Sequence, residues 1–475
     1  MNPPDGRHDA SPSGSAAYRD LYTLTGLALL INFIHLGANS IELDESTSIG
    51  IARHSFASLI PVLAGVDPNM GLYYVLLSCW VKIFGEGEAA VRSLSAIFGA
   101  LAVSVIYLLG RHMFGRAAGV VAGLLLASDT FVVQYAQTAR SYALLLFLIL
   151  LSSYFLVVDL DGPTRRREIA FVVASALAVY AHYFALYIIV VQLGTVLAIR
   201  RRRALSREWF LIAAAILVLC APEAIFAYRA GASRLAWIQP PSWNDIYAVF
   251  VEFTGGSRLT LFALVAGGLY AAVSAPRDRR HWQHGFVAAW MIVPVALSFA
   301  VSSALPMFIS YYLIISVPGL ILFGAAAIER VRYPQAAAMV MAPLLLLSAI
   351  HLVDFYSRER GECWRDATRY VLEATRPDDG VIFYPDYAHK PFDYYRRRRG
   401  VIGPLNLPRQ MFLGPNRIWL VIRESDAAAH ITDLVELRSA LTVQYHPVNE
   451  RRFRRVGVEL YEHRFAAGAN PTARP

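Results

Sequence analysis

Charge is scarce in this chain of 475 residues: Asp, Glu, Lys and Arg make up 17%, against about a quarter in an ordinary soluble protein. Hydrophobic residues reach 56%. That balance excludes a typical cytosolic enzyme, and equally a disordered chain, a collagen or a charged coiled coil. Cysteine is almost absent. Cys79 and Cys220 lie in apolar stretches and Cys363 stands alone, so no disulfide framework is indicated. No glycine-rich phosphate loop is present, which argues against ATP or a cytosolic nucleotide-sugar donor. No repeat of solenoid period occurs. The net charge of +9 reads first as topology, because basic loops of a membrane protein record sidedness before they record any nucleic-acid partner.

What is abundant is apolar sequence in long runs. A spanning helix needs roughly 20 mostly apolar residues. The first run is Leu21–Ala38, read as a retained helix because its flanks lack the charge pattern of a signal peptide. Ten more follow: 91–110, 117–133, 141–158, 169–182, 184–199, 209–228, 259–274, 285–304, 310–328 and 336–353. About eleven transmembrane helices are therefore expected. The stretch 169–199 is read as two short helices turning near His182, which keeps the flanking Arg165–Arg167 and Arg200–Arg203 on one side. The cytoplasmic loops of this scheme hold 15 Arg, and the outer segments before residue 354 hold seven Lys or Arg over a greater length. The positive-inside bias then puts the N-terminus in the cytoplasm and the C-terminus outside.

Residues 1–20, rich in Pro, Gly, Ser and Asp, read as a disordered cytoplasmic tail. Residues 21–353 form the membrane domain. Within it, 41–90 is one long outer loop, where Ile49–Leu63 is amphipathic and Gly71–Phe84 is an apolar run too short to cross comfortably. Both fit interfacial or re-entrant helices. Residues 354–465 read as a small extracytoplasmic α/β domain: a helix over Cys363–Thr375, strands at Gly380–Tyr384, Arg417–Arg423 and Val456–His463, and a helix over Ala427–Leu441. Residues 466–475 are a disordered tail.

The strongest chemical signal is Glu42-Leu43-Asp44-Glu45. Three carboxylates in four residues beside a bilayer are costly unless solvated or used; an ordinary polar loop start fits the charge pattern equally well. Asp44, Glu45, His54 and Asp67 share one loop, but their spacing matches no standard metal-ligand pattern. No cofactor is indicated, and a divalent metal, held by Asp44 and Glu45, stays open.

Five further stretches, in order, resemble the polytopic C-type-fold glycosyltransferases, the superfamily of protein O-mannosyltransferases and lipid A aminoarabinose transferases. Gly71-Leu72-Tyr73-Tyr74-Val75-Leu76-Leu77 is similar to that superfamily's "PPLYYLLL". Phe84–Ser95 resembles "FGxSExALRxLS", and Gln137–Leu144 resembles "QEARxYAL". Tyr180–Leu186 resembles "YTHYFAL", and Trp364-Arg365-Asp366-Ala367 resembles "DWRxA". The resemblance covers about residues 20–380. One departure stands out: the His-Pro-Pro or Lys-Pro-Pro expected before the tyrosine pair is Asp67-Pro68-Asn69-Met70-Gly71 here, so a phosphate or metal contact from that cation is in doubt.

The resemblance implies a polyprenyl-phosphate sugar donor and a glycan, lipid or protein acceptor at the outer face of the inner (plasma) membrane. It places Asp44 as general base, since an acceptor hydroxyl must lose its proton as it attacks. Glu45 would orient Asp44, bind acceptor or help hold a cation. One direct displacement would invert the anomeric centre. Arg140 would grip the leaving phosphate with its planar fork, although a lone Arg at a helix end is also a common snorkelling residue. Tyr142, in the same motif, and His182 and Tyr183, at the outer turn, are candidates for substrate contact. Arg53 and His54 could touch phosphate or lipid headgroup, with a solvated helix face as the alternative; Lys82 is similar. The aromatic stretch Trp237–Trp243 fits a lid or a membrane-anchoring belt. Arg396–Arg399 and Arg451–Arg455 could meet anionic glycan or lipid. Nucleic acid is not expected as a partner. A transporter of lipid-linked sugars is the competing class; it would predict repeated halves and ionisable residues at midplane, whereas no such halves are found and the clearly intramembrane acids, Asp129 and Glu223, lie near helix ends. A non-catalytic glycan-binding scaffold ranks below both.

Overall fold

The computed structural model describes residues 12–66, 68–199, 207–230, 238–275, 281–331, 333–401, 415–429 and 431–464. The chain divides into two compact units. One comprises residues 1–36, 54–85 and 90–358, and the other comprises 37–53, 86–89 and 359–475.

The helices, in chain order, are α1 (Pro12–Phe33), α2 (Leu43–Ala52), α3 (Phe56–Val66), α4 (Gly71–Phe84) and α5 (Glu88–Phe114). Then come α6 (Arg116–Ser128), α7 (Thr130–Ala136), α8 (Tyr142–Asp161), α9 (Arg165–Ala181), α10 (Ala185–Ile199) and α11 (Arg207–Ala230). The membrane-type helices end with α12 (Trp243–Glu252), α13 (Arg258–Ser274), α14 (Trp282–Val301), α15 (Val317–Ala325) and α16 (Pro334–Ser357). A chain in lipid must satisfy its backbone internally, and the apolar runs accordingly become helices.

Among the described residues, six helical segments are long and apolar enough to cross a bilayer: Glu88–Phe114, Tyr142–Asp161, Arg207–Phe226, Trp282–Val301, Tyr312–Arg330 and Gln335–Ser357. The pair α6 and α7, bent by 63°, raises the total to seven. Eleven were expected. Most of the difference is length: α10 has 15 residues, about 22 Å at the helical rise, short of a hydrocarbon core about 30 Å thick. The 17 residues of α9 begin with Arg165-Arg166-Arg167, leaving its apolar part shorter still. The break between α9 and α10 falls at His182–Phe184.

Residues 12–20 correct the expected disordered tail: they are the first turns of α1. Asp20 there is held by Arg116 through two hydrogen bonds of 2.6 and 2.9 Å. The Arg116 guanidinium draws the Asp20 carboxyl below its ordinary range.

Helix packing relies on small residues. A Cβ on Gly119 would lie 2.6 Å from the Tyr107 carbonyl oxygen and 2.8 Å from the Arg111 nitrogen, so only glycine lets α6 approach the backbone of α5 this closely. Outward faces are apolar: Phe210, Leu217 and Val218 on α11, Phe262 and Val273 on α13, and Met339, Leu346 and Val353 on α16 are all more than half exposed. That much exposed apolar surface is tolerated in contact with lipid and not in water.

The other unit holds a four-stranded sheet of β1 (Gly380–Tyr384), β2 (Arg417–Arg423), β3 (Tyr445–Phe453) and β4 (Val456–His463), in the order β1-β2-β4-β3. Its helices are α17 (Trp364–Ala374), α18 (His389–Arg398), α19 (Glu424–Ala429) and α20 (Ile431–Gln444). β1 and β2 pair in parallel, and the other two pairings are antiparallel. Leu434, Leu437 and Leu441 of α20 pack on Ile382, Ile418, Leu420, Ile422 and Tyr461. Tyr370 of α17 meets Trp419 edge-on at 5.8 Å, and Phe392 of α18 meets Phe383 at 5.1 Å. Helices therefore cover both faces, which is why β1 and β2 are continuous apolar runs.

Candidate active site

The acidic segment belongs to the unit that carries the sheet. Asp44 and Glu45 sit in the first turn of α2 with Glu42 as its cap. Carboxylates there complement the helix dipole and the unpaired N–H groups. The two neighbours differ in surroundings. Glu45 is 2% exposed, and its carboxylate accepts the backbone N–H of Glu42 at 3.2 Å, one half of a capping box. Asp44 is exposed.

The segment leading into this turn is fixed by the Trp364-Arg365-Asp366-Ala367 motif. The Arg365 guanidinium donates to the carbonyls of Gly37 at 3.0 Å, Ala38 at 3.2 Å and Asn39 at 3.4 Å, and to Glu88 at 3.2 Å. Its backbone N–H reaches the Ser40 hydroxyl at 3.2 Å. The Ile41 N–H donates to the Tyr395 hydroxyl at 2.7 Å. Burial pushes that phenol up to about 12, so it stays neutral at physiological pH. Gly361 takes φ +70°, and a Cβ on it would lie 2.0 Å from a Glu42 carboxylate oxygen. Arg53 is gripped by Glu86 through two bonds of 2.9 and 2.7 Å; it anchors the end of α2 within its own unit. His54 is exposed.

In the helical unit, four motifs far apart in sequence meet. Arg140 is 8% exposed. Its Nη1 donates to the Tyr74 hydroxyl at 3.2 Å. The Arg140 carbonyl accepts from Ser95 at 3.1 Å, and Ser95 in turn pairs with the Tyr73 hydroxyl at 2.9 Å. Both tyrosines of the Leu72-Tyr73-Tyr74 segment thus position Arg140, one through its guanidinium and one through its backbone. Gln137, one turn earlier, donates to the carbonyls of Asn32 at 3.0 Å and Ile34 at 2.8 Å. Arg92 donates to the Leu36 carbonyl at 3.1 Å, and Tyr356 to Ile31 at 2.6 Å. Gln137 and Arg92 thus serve carbonyls at and just past the end of α1, and Tyr356 adds a second donor to the Ile31 carbonyl, which also accepts the Ile34 N–H.

His182 is fully buried. Its Nε2 faces the Asn69 amide nitrogen at 3.0 Å, and Asn69 Oδ1 accepts the Tyr183 N–H at 3.0 Å. Nδ1 of His182 accepts the Phe184 N–H at 3.2 Å. The His182 ring packs against Tyr312 at 4.8 Å, Phe184 at 5.3 Å and Tyr142 at 6.1 Å. Tyr142 continues the cluster to Tyr135 at 5.2 Å and Tyr311 at 5.3 Å.

Tyr135, Tyr311 and Tyr312 were not singled out in the sequence, and Asn69 and Ser95 were quoted there only within longer stretches. Asn69 stands where the resemblance expects a cation, and that departure was its signal. Ser310-Tyr311-Tyr312 was legible as the one polar, aromatic start in an otherwise apolar run. Asp129, near a helix end as the sequence placed it, caps α7, accepting the Val132 N–H at 3.0 Å. Glu223 is buried on α11. Trp237 and Asp67 lie outside the described residues; Trp243 is 78% exposed and stacks on Phe299 at 4.8 Å. Lys82 is exposed. Among the described residues no group of three or more His, Cys, Asp or Glu side chains is placed to hold a metal.

The chain is similar to known proteins in sequence and in fold. Residues 68–226 match the family described as dolichyl-phosphate-mannose-protein mannosyltransferase. The undecaprenyl phosphate-alpha-4-amino-4-deoxy-L-arabinose arabinosyl transferase of Pseudomonas aeruginosa (strain UCBPP-PA14) is 25% identical over 284 residues, 56% of this chain and 51% of that protein. The match thus spans about half the length of that relative. The crystal structure of ArnT from Cupriavidus metallidurans bound to undecaprenyl phosphate superimposes with TM-score 0.61 and 13% identity, covering 95% of this chain and 98% of that one. The oligosaccharyltransferase AglB of Archaeoglobus fulgidus, solved with an inhibitory peptide and a dolichol-phosphate, gives TM-score 0.56 and 14% identity over 90% of this chain and 72% of its own. The chain has the fold of these proteins.

Proposed function

We infer that this chain, with the fold and motifs of the protein O-mannosyltransferase and aminoarabinose transferase superfamily, is a multi-pass membrane glycosyltransferase. Its donor is a sugar on a polyprenyl phosphate. The acceptor is a hydroxyl group of a lipid, a surface polysaccharide or a protein on the outer side of the inner membrane.

The observation that carries this reading is the buried Arg140, positioned by two other motifs, through Tyr74 and through Ser95. A guanidinium buried in an apolar helical unit is costly and marks a functional site by default. Its planar fork suits phosphate oxygens. In the proposed step the acceptor oxygen bonds to the anomeric carbon as the bond from that carbon to the phosphate oxygen breaks. The acceptor proton passes to the Asp44 carboxylate, and the electron pair leaves on the polyprenyl phosphate, stabilised by Arg140. A single displacement inverts the anomeric centre. Asp44 suits the base role because it is exposed while its neighbour Glu45 serves the helix cap. The aromatic cluster of Tyr142, His182 and Tyr312 offers ring faces to the donor, with Tyr183 beside them. Arg53, tied to Glu86, is assigned to holding α2 and not to the phosphate.

The test uses purified protein in lipid nanodiscs with a panel of polyprenyl-phosphate sugars. The expected result is release of free polyprenyl phosphate, slowed at least about 100-fold by Arg140→Ala, the scale of a lost transition-state contact. Sealed vesicles in which intact donor crosses the bilayer without cleavage would instead establish a transporter.

A further inference from the structure

The sheet unit carries a cleft of about 390 Å³ that none of the chemistry above uses. Its walls come from three elements: Arg438 of α20; Val448, Glu450 and Arg452 of β3; and Glu459 and Tyr461 of β4. The size suits a small ligand.

The cleft coincides with an irregularity in the backbone. The register of β3 against β4 shifts between Pro447 and Asn449. A bulge of this kind bends its strand and re-aims side chains, and Val448 is left 48% exposed.

The charges inside are matched. Arg438 pairs with Glu459 through both Nε and Nη2, and Arg452 pairs with Glu450 at 2.8 Å. Two cations and two anions leave no net charge, so neither a phosphate nor a metal ion is favoured. The Arg438–Glu459 pair fixes the geometry of one wall, while the Arg452–Glu450 pair is largely exposed. Glu459 is 6% exposed, and its Oε2 also accepts the Tyr461 hydroxyl at 2.8 Å. Planar groups locked in this way offer adjacent donors and acceptors, the pattern that matches neighbouring hydroxyls. Pro447 and Val448 supply an apolar wall for a ring of C–H groups.

We propose that this cleft is a binding site for a neutral saccharide, separate from the site of transfer. The binding does not depend on the transfer chemistry, so the two readings stand or fall separately.

The experiment titrates full-length protein in nanodiscs with methyl glycosides of glucose, mannose and galactose, followed by saturation-transfer NMR, with inorganic phosphate and glucuronate as charged controls. Saturable binding of at least one neutral glycoside is expected, in preference to both controls. Arg452→Ala, which frees Glu450, is expected to weaken it about tenfold, as for a hydrogen bond to a charged group. Val448→Trp fills the cleft without touching an ion pair and is expected to abolish binding with an unchanged melting temperature. Asp44→Asn is expected to bind normally. Binding of phosphate in place of sugar, binding unaffected by Val448→Trp, or binding lost in Asp44→Asn would each overturn the proposal.

Discussion

Asp44 and Glu45 are adjacent carboxylates with opposite surroundings, and that difference separates chemistry from architecture. Glu45 is buried and closes the capping box on α2. Its replacement by Ala is predicted to cost about 0.5–2 kcal/mol, the usual scale of a lost cap, read as a lower melting temperature. Asp44→Asn changes an exposed side chain, so its stability is predicted to stay within about 0.5 kcal/mol of wild type. Arg140→Lys keeps the charge and loses the fork, and is predicted to recover only part of the transfer rate that Arg140→Ala removes. At this scale the sequence marked Asp44, Glu45, Arg140 and His182 as candidates. It left their partners unseen, because the Tyr74, Ser95 and Asn69 contacts join residues 45 to 113 positions apart. Arg53 shows the converse: its partner Glu86 is 33 residues away, and without it the side chain looked available for phosphate.

The elements were legible where burial writes a pattern. β1, β2 and β4 occupy the segments their apolar runs mark, and the break near His182 follows from the two basic flanks. β3 was not legible. Residues 447–452 are exposed or half-buried and carry Glu450, Arg451 and Arg452, so only pairing with β4 makes that segment a strand. The start of α1 at Pro12 was equally hidden, since polar first turns carry no apolar signal. Two consequences belong to this scale. Gly119→Val would force α6 away from the backbone of α5. It is predicted to destabilise by about 1–3 kcal/mol, as overpacking does, measured by thermal unfolding in detergent. Arg365→Ala would free the carbonyls of Gly37, Ala38 and Asn39. Faster amide hydrogen exchange is predicted over residues 37–46, with little change in β1 and β2.

At the scale of the whole molecule, the +9 charge acquires an address under the proposed topology, with its basic excess concentrated in cytoplasmic loops. Single cysteines introduced into a chain lacking Cys79, Cys220 and Cys363 test this. Arg166→Cys is predicted to resist a membrane-impermeant maleimide added outside intact cells. Ser242→Cys and Glu436→Cys are predicted to react, since both positions lie on the proposed outer side and are not buried. The composition spoke clearly for a membrane protein, yet it could not say that the acidic segment packs with the C-terminal sheet unit, because that association rests on Arg365 and Tyr395, more than 320 residues further on. The central claim is that Asp44 takes the acceptor proton during transfer from a polyprenyl-phosphate sugar. It is tested most directly by comparing donor turnover of wild type and Asp44→Asn in nanodiscs, with folding checked by melting temperature. A correctly folded variant slowed about 10²–10⁴-fold, the range for a lost general base, is the predicted result; a variant that turns over donor at the wild-type rate would contradict the account.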